Sequence, residues 1–286
     1  MGSGGRVAVI GAGTMGHGIA QVAAMAGAET VLVDRTEALV EAGLERVRAN
    51  LAAGIERGKV EPADRDATLE RLTGSTRIEE AAEGVALAVE AVPERLELKR
   101  DVFAALERAT PARAILATNT SSLSITRIQD GRERPGRIVG LHFFNPVHIM
   151  KLVEVVRGEE TAEAVIEESV GWIRSLGKEP IVVNDSPGFA SSRLGVALGL
   201  EAMRMLEEGV ASAADIDTAM TLGYRHPMGP LRLTDLVGLD IRLHVAEYLH
   251  ETLGGERFRP PRILREKVEK GELGQKTGRG FFDWSE

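Results

Sequence analysis

Two ionisable side chains interrupt an apolar stretch in which a charge is costly unless it is paired or used. In "GLHFFNPVHIMKLVEVV", residues 140–156, His142 and Glu154 sit inside two runs, "VGLHFF" and "KLVEVV", that otherwise read as buried strands. If residues 139–144 and 151–156 pair as an antiparallel hairpin centred on His148, facing positions sum to 296 and His142 lies opposite Glu154. A carboxylate beside an imidazole fixes its tautomer and favours the charged ring, while burial opposes charging. Such a pair can act as a general base, or can simply hold strand register; spacing alone leaves both open.

A second constellation is "VAVIGAGTMG", with Gly11, Gly13 and Gly16 spaced G-x-G-x-x-G around Ala12, Thr14 and Met15, directly after a predicted strand and opening a predicted helix. Glycines suit a tight turn, a backbone that must approach a pyrophosphate, and close helix–strand packing; the helix N-terminus then offers N–H groups to phosphate. Asp34 ends the next strand-like run, "ETVLVD", 18 residues after Gly16, where a carboxylate can accept the adenosine ribose hydroxyls. It also repels a 2′-phosphate, which favours NAD over NADP, although Arg35 beside it tempers that preference. The alternative is a plain βα turn with Asp34 as a helix cap.

The elements that must position these residues follow from the hydrophobic pattern. Short β-rich runs alternate with helical patterns: "RVAVIG", "ETVLVD", "VALAVEAV", "AILATNTSS", "RIVGLHFF", "KLVEVV" and "EPIVVND". This predicts an α/β fold, a Rossmann-type doubly wound and mostly parallel sheet, over residues 1–185. A long helix starting near Glu37 ends in "ERGKVEPADRD", whose Gly and Pro predict a turn between two antiparallel helices that extend off the sheet. From "DSPGFASSR" onward the pattern is helix after helix, with Ser212 placed to cap "AADIDTAM", so residues 186–286 are expected to form an all-α C-terminal domain.

Bulk properties narrow the partners. The chain has 286 residues, 43% of them apolar, enough for two real cores. A net charge of −8 gives no electrostatic reason for nucleic acid or an anionic membrane as the main partner. With no cysteine there is no disulfide, thiolate nucleophile or Cys-based zinc site, and no metal centre is expected. The N-terminus runs straight into a strand without a cleavable-signal pattern, and no apolar run is long enough to span a bilayer, so a soluble cytoplasmic protein is expected.

Several longer motifs, "GAGTMGHGIAQ", "NTSSLSIT", "GLHFFNPVHIMKLVEVV", "DSPGF", "DIDTAM", "HPMGPLRLTDLVGLD" and "GQKTGRGFFDW", together resemble the short-chain L-3-hydroxyacyl-CoA dehydrogenases, including bacterial 3-hydroxybutyryl-CoA dehydrogenases. The resemblance runs from about Arg6 to Trp284. It implies an N-terminal NAD domain, a helical C-terminal domain forming a homodimer interface, and catalysis in the cleft between them, within fatty-acid metabolism such as β-oxidation. His142 would be the general base and Glu154 its partner, acting on an acyl-CoA thioester. Ser121 of "NTSS" would hydrogen-bond the reacting oxygen. Glu94 and Lys99 of "VEAVPERLELK", Asn145 of "HFFNP" and Lys276 of "GQKTG" match cofactor-contacting positions. Asn50 and Arg57, with Lys59 nearby, fall where the family holds the nucleotide end of CoA. Read without the resemblance, Ser121 and Asn145 could be turn residues and Lys99 a solvated helix residue.

One position departs. Where the family reads P-G-F-x-x-N-R, this chain reads "PGFASSR", with Ser192 at the position of an Asn that helps orient substrate and the catalytic His. Serine is shorter and offers one donor in place of two. Two other readings therefore stand beside the first: a dehydrogenase of a free hydroxy acid or sugar acid, as in gulonate-dehydrogenase-like relatives, or a catalytically silent NAD-binding protein.

Overall fold

The structure is a computed structural model that describes residues 5–285. The chain forms two compact units that divide between Ser186 and Pro187, within the Asp-Ser-Pro-Gly cluster.

The first unit is built on eight strands: β1 (Arg6–Ile10), β2 (Glu29–Val33), β3 (Leu72–Ser75), β4 (Leu87–Glu90), β5 (Ile115–Thr118), β6 (Ile138–Phe143), β7 (Leu152–Arg157) and β8 (Glu179–Asn184). They form one sheet in the order β3-β2-β1-β4-β5-β6-β7-β8. Neighbours are parallel except β6 and β7, which are antiparallel. Every residue of β4, β5 and β6 is buried, as expected for central strands covered on both faces. Around the sheet lie α1 (Gly16–Met25), α2 (Glu37–Glu56), α3 (Pro62–Glu70), α4 (Ile78–Ala82), α5 (Leu96–Ala109), α6 (Ile125–Gln129) and α7 (Glu163–Ser175). Their apolar faces share a core with Val9, Leu32, Val89, Ile115 and Leu141.

Local chemistry sets the helix ends. Thr36 caps α2 by accepting the N–H of Leu39, Gly58 takes a left-handed φ of 61° beyond the end of α2, and Pro62 opens α3 where its missing N–H costs nothing. β3, α4 and α6 do not stand out in the sequence. The "LTGS" strand is short and half polar, and both helices run only five residues.

The second unit contains α8 (Ser191–Glu207), α9 (Ala213–Thr218), α10 (Pro230–Val237), α11 (Leu239–Leu253) and α12 (Arg262–Glu269). Ser212 caps α9 through the N–H of Asp215, while a π-helical turn continues it over 219–223. The core gathers Val196, Met203, Ile216, Leu231, Leu249 and Phe258. Asp235 staples the C-terminal segment by accepting the N–H groups of Phe281 and Phe282 and the Trp284 indole N–H. Among the described residues no helix is long and apolar enough to cross a membrane.

Candidate active site

The β6–β7 ladder pairs His142 with Glu154, so both side chains project from the same face. Glu154 is 0% exposed, and its Oε2 lies 2.7 Å from His142 Nδ1. An ionised carboxylate can only accept, so beside it the neutral tautomer of the ring is the one with its proton on Nδ1 and its lone pair on Nε2. The Phe144 ring tilts against the imidazole at 4.5 Å between centroids and further limits its rotation. The result is a pre-oriented proton acceptor with a buried counter-charge behind it.

The glycine loop divides into two functions. Gly11 has φ 107°, and a Cβ there would stand 2.6 Å from the Ala91 carbonyl oxygen; a Cβ on Gly16 would collide with the Gly11 backbone. Both are required by the turn itself. Gly13 is different: it is exposed, its backbone is not left-handed, and a Cβ would meet nothing within 4 Å. Folding does not demand a glycine at this position, whereas close approach of a pyrophosphate does. Thr14 and Met15 follow at the mouth of α1, Thr14 exposed and Met15 half-buried. Asp34 closes the loop from β2, its Oδ2 accepting the Ala12 N–H at 2.8 Å. Thr36, not Asp34, caps the next helix. These residues fit a dinucleotide.

Glu94 and Ser121 meet at the ends of β4 and β5. Glu94 Oε1 accepts from the Thr120 hydroxyl, from the N–H groups of Ser121 (3.1 Å) and Ser122 (3.2 Å), and from the Ser122 hydroxyl. Lys99, grouped on the sequence with the cofactor contacts, is placed behind Glu94 and not at the surface. It is 1% exposed, its ammonium 2.8 Å from Glu90 Oε1, 3.2 Å from Glu94 Oε2 and bonded to the Val92 carbonyl. The reason is Glu90, a fully buried carboxylate on β4 that also accepts from Val92 N–H and the Thr118 hydroxyl. Burial pushes the Glu90 carboxyl up, against the pull of Lys99. At Glu94 burial again opposes ionisation, but Lys99 and the Thr120 and Ser121 donors outweigh it and hold the carboxyl below the usual range. Glu90 and Asn119, whose Oδ1 accepts the Phe143 N–H, were not singled out on the sequence; the acid ending "ALAVE" was the available signal for Glu90.

Asn145 is exposed in the loop joining β6 to β7, before the cis peptide to Pro146. Two contacts fix this loop: Val147 sits where a Cβ on Gly18 of α1 would be, and the buried Lys178 ammonium donates to the carbonyls of Val147 and Met150. His148, left unassigned on the sequence, has its imidazole pKa lowered by burial and by the neighbouring His17, Lys178 and Arg57. Arg57 therefore lies near enough to His148 for its charge to act on the ring. Asn50 instead spends its amide on Gln21 of α1, at 3.0 Å.

In the second unit Ser192 is half-buried in the first turn of α8, and the Lys276 ammonium lies 2.6 and 2.7 Å from the two Asp240 oxygens. Burial works against Asp240 ionisation, but Lys276 holds the carboxyl below its ordinary range.

A doubly wound sheet with this glycine loop and an oriented His–Glu pair defines an NAD-binding oxidoreductase. Residues 6–186 match the family domain described as "3-hydroxyacyl-CoA dehydrogenase, NAD binding domain", and residues 188–284 match "3-hydroxyacyl-CoA dehydrogenase, C-terminal domain". The chain belongs to the 3-hydroxyacyl-CoA dehydrogenase family. It is 43% identical to a probable 3-hydroxybutyryl-CoA dehydrogenase of Bacillus subtilis and 42% identical to a 3-hydroxybutyryl-CoA dehydrogenase of Mycobacterium tuberculosis, each over 98% of both chains. The crystal structure of (S)-3-hydroxybutyryl-CoA dehydrogenase from Ralstonia eutropha superposes with a TM-score of 0.94 at 40% identity, covering 98% of this chain and 99% of that one.

Proposed function

We propose that the protein catalyses NAD-dependent oxidation of short-chain (S)-3-hydroxyacyl-CoA, such as 3-hydroxybutyryl-CoA, to the 3-ketoacyl-CoA, and the reverse reduction. The observation that carries this reading is the His142–Glu154 pair on a dinucleotide-binding sheet. His142 Nε2 takes the 3-hydroxyl proton as C3 gives up its hydride, and Glu154 stabilises the imidazolium that forms. Bound NAD supplies the hydride acceptor. The Ser121 hydroxyl donates to the reacting oxygen, and Glu94 holds the loop that presents it; in reduction His142 returns its proton to the same oxygen. Asp34 supports NAD over NADP, and the guanidinium of Arg57, near His148, suits the phosphates of CoA. Leu194, Leu222 and Tyr224 expose 71%, 79% and 76% of their surface on the helical unit, which supports association of two copies there as a homodimer. Ser192 favours, as a second reading, a free hydroxy acid as substrate.

The test is steady-state oxidation of NADH, and separately NADPH, with acetoacetyl-CoA by the wild type and His142→Gln. NADH-dependent turnover that collapses in the variant, with NADH still bound, supports the reading. No turnover by a wild type that binds NADH refutes it and directs the search to free 3-oxo acids.

A further inference from the structure

In the first unit α2 lies against the glycine loop. Gly43 is buried on α2, and a Cβ there would stand 2.8 Å from the Ala12 Cβ and 3.0 Å from the Ala12 carbonyl oxygen. Arg46, three residues later on the same helix face, donates from Nη1 to that carbonyl at 3.3 Å. Arg48, two residues on, is an ordinary surface arginine paired with Glu41 and Glu45. Arg46 has no acidic residue three or four places away on either side, and the Ala12 carbonyl is its one hydrogen-bond partner among the described residues.

This bond has a directional consequence. The Ala12–Gly13 peptide is trans, so its carbonyl and its N–H point to opposite sides. With the carbonyl turned towards α2, the Gly13 N–H is turned away from that helix, and it meets no acceptor among the described residues. The neighbouring peptides are held as well: Asp34 Oδ2 accepts the Ala12 N–H, and His17 Nδ1 donates to the Gly13 carbonyl at 2.7 Å. Sterics leave the middle peptide free to turn over, because glycine tolerates either orientation and a Cβ on Gly13 would meet nothing within 4 Å. A flipped peptide would present a carbonyl oxygen to the cofactor in place of a donor.

We propose that Arg46 is a positioning residue for the cofactor: it holds the Ala12–Gly13 peptide with its N–H facing the pyrophosphate of the dinucleotide. This rests on the reading of Gly13 as the place where the pyrophosphate approaches, and adds to it the side chain that keeps the donor pointed there. An N–H aimed at the anion before it arrives needs no reorganisation on binding. A guanidinium on the carbonyl end of the same peptide also polarises it and strengthens that donor.

The experiment measures dissociation constants for NADH, ADP-ribose and adenosine, the last two by displacement of NADH. It uses the wild type, Arg46→Met, Arg46→Lys, Gly13→Ala and the double variant Arg46→Met with Gly13→Ala. Arg46→Met is expected to weaken NADH and ADP-ribose alike, roughly fivefold, and to leave adenosine, which lacks the pyrophosphate, unchanged. Arg46→Lys, which can still donate to the carbonyl, should recover part of the loss. Because both residues act through one N–H, Arg46→Met should cost less than about twofold further in the Gly13→Ala background. Losses that multiply in the double variant would show that Arg46 attracts the cofactor on its own, and overturn the proposal. So would full NADH affinity in Arg46→Met, whatever its melting temperature, or an equal loss for adenosine, the mark of a general loosening of the loop. Undiminished NADH binding by Gly13→Ala would remove the pyrophosphate reading and the proposal with it, whereas a loss there with Arg46→Met unaffected overturns the proposal alone.

Discussion

Replacing Glu154 by Gln removes one charge from behind the imidazole of His142, the proposed base, and leaves its shape almost unchanged. The amide oxygen can still accept from Nδ1, so the tautomer and ring position survive; what disappears is attraction to the imidazolium formed as the proton is taken. With Nδ1 and Oε2 2.7 Å apart, the charge centres are about 4 Å apart, and Coulomb's law at an effective dielectric of about 20 gives ~4 kcal/mol as an upper bound. A charged hydrogen bond worth about 1.5–3 kcal/mol net, reduced to a neutral one worth about 0.5–1.5, loses roughly 1–1.5 kcal/mol, which converts to a roughly 5- to 13-fold fall in kcat. NADH affinity, assigned in the proposed reading to the glycine loop and Asp34, should change little. Stopped-flow reduction of acetoacetyl-CoA under single-turnover conditions isolates the chemical step, and NADH fluorescence titration gives the dissociation constant. A variant with wild-type kcat would refute the assignment of Glu154 as counter-charge. Equal losses in kcat and NADH binding would show instead that the pair only holds the sheet together.

Gly13→Ala should leave the melting temperature unchanged or slightly raised, because its Cβ meets no neighbour, while weakening NADH roughly tenfold, about 1.4 kcal/mol, by titration. Undiminished NADH binding would remove the pyrophosphate from that spot. Lys99→Met should shift the acid limb of the kcat/KM profile to higher pH. The Glu94 carboxyl is held below its ordinary value, so the ionic grip on Thr120–Ser122 exists above that ordinary value and is lost as pH falls through the folded one. Without Lys99 that loss moves upward. An unmoved acid limb would mean that Glu94 ionisation does not control the loop.

Much of the site can be read without coordinates because it rests on local spacing. The strand–glycine–helix succession places Gly11 and Gly16, and period-two alternation across a short loop is enough to oppose His142 and Glu154. The remainder depends on which helix faces which strand. Lys99 lies in "LELKRDVF", where a lysine reads as solvated; only the sheet order, with β4 beside β5, puts a buried Glu90 beneath it. Arg242 likewise lies in an amphipathic helix among His and Glu residues, and its enclosure comes from α8 lying close enough for Gly195 to touch it. Long-range burial of this kind leaves no periodic trace.

The contact between Gly18 and Val147 carries a mechanical consequence. Helix α1 begins at the phosphate-facing turn and, two residues further on, bears the loop that follows His142. On the proposed reading, base and cofactor turn are thus referenced to one helix, and a shift of α1 would carry them together as a common datum. That shared reference bears on the one separation that hydride and proton transfer must hold constant.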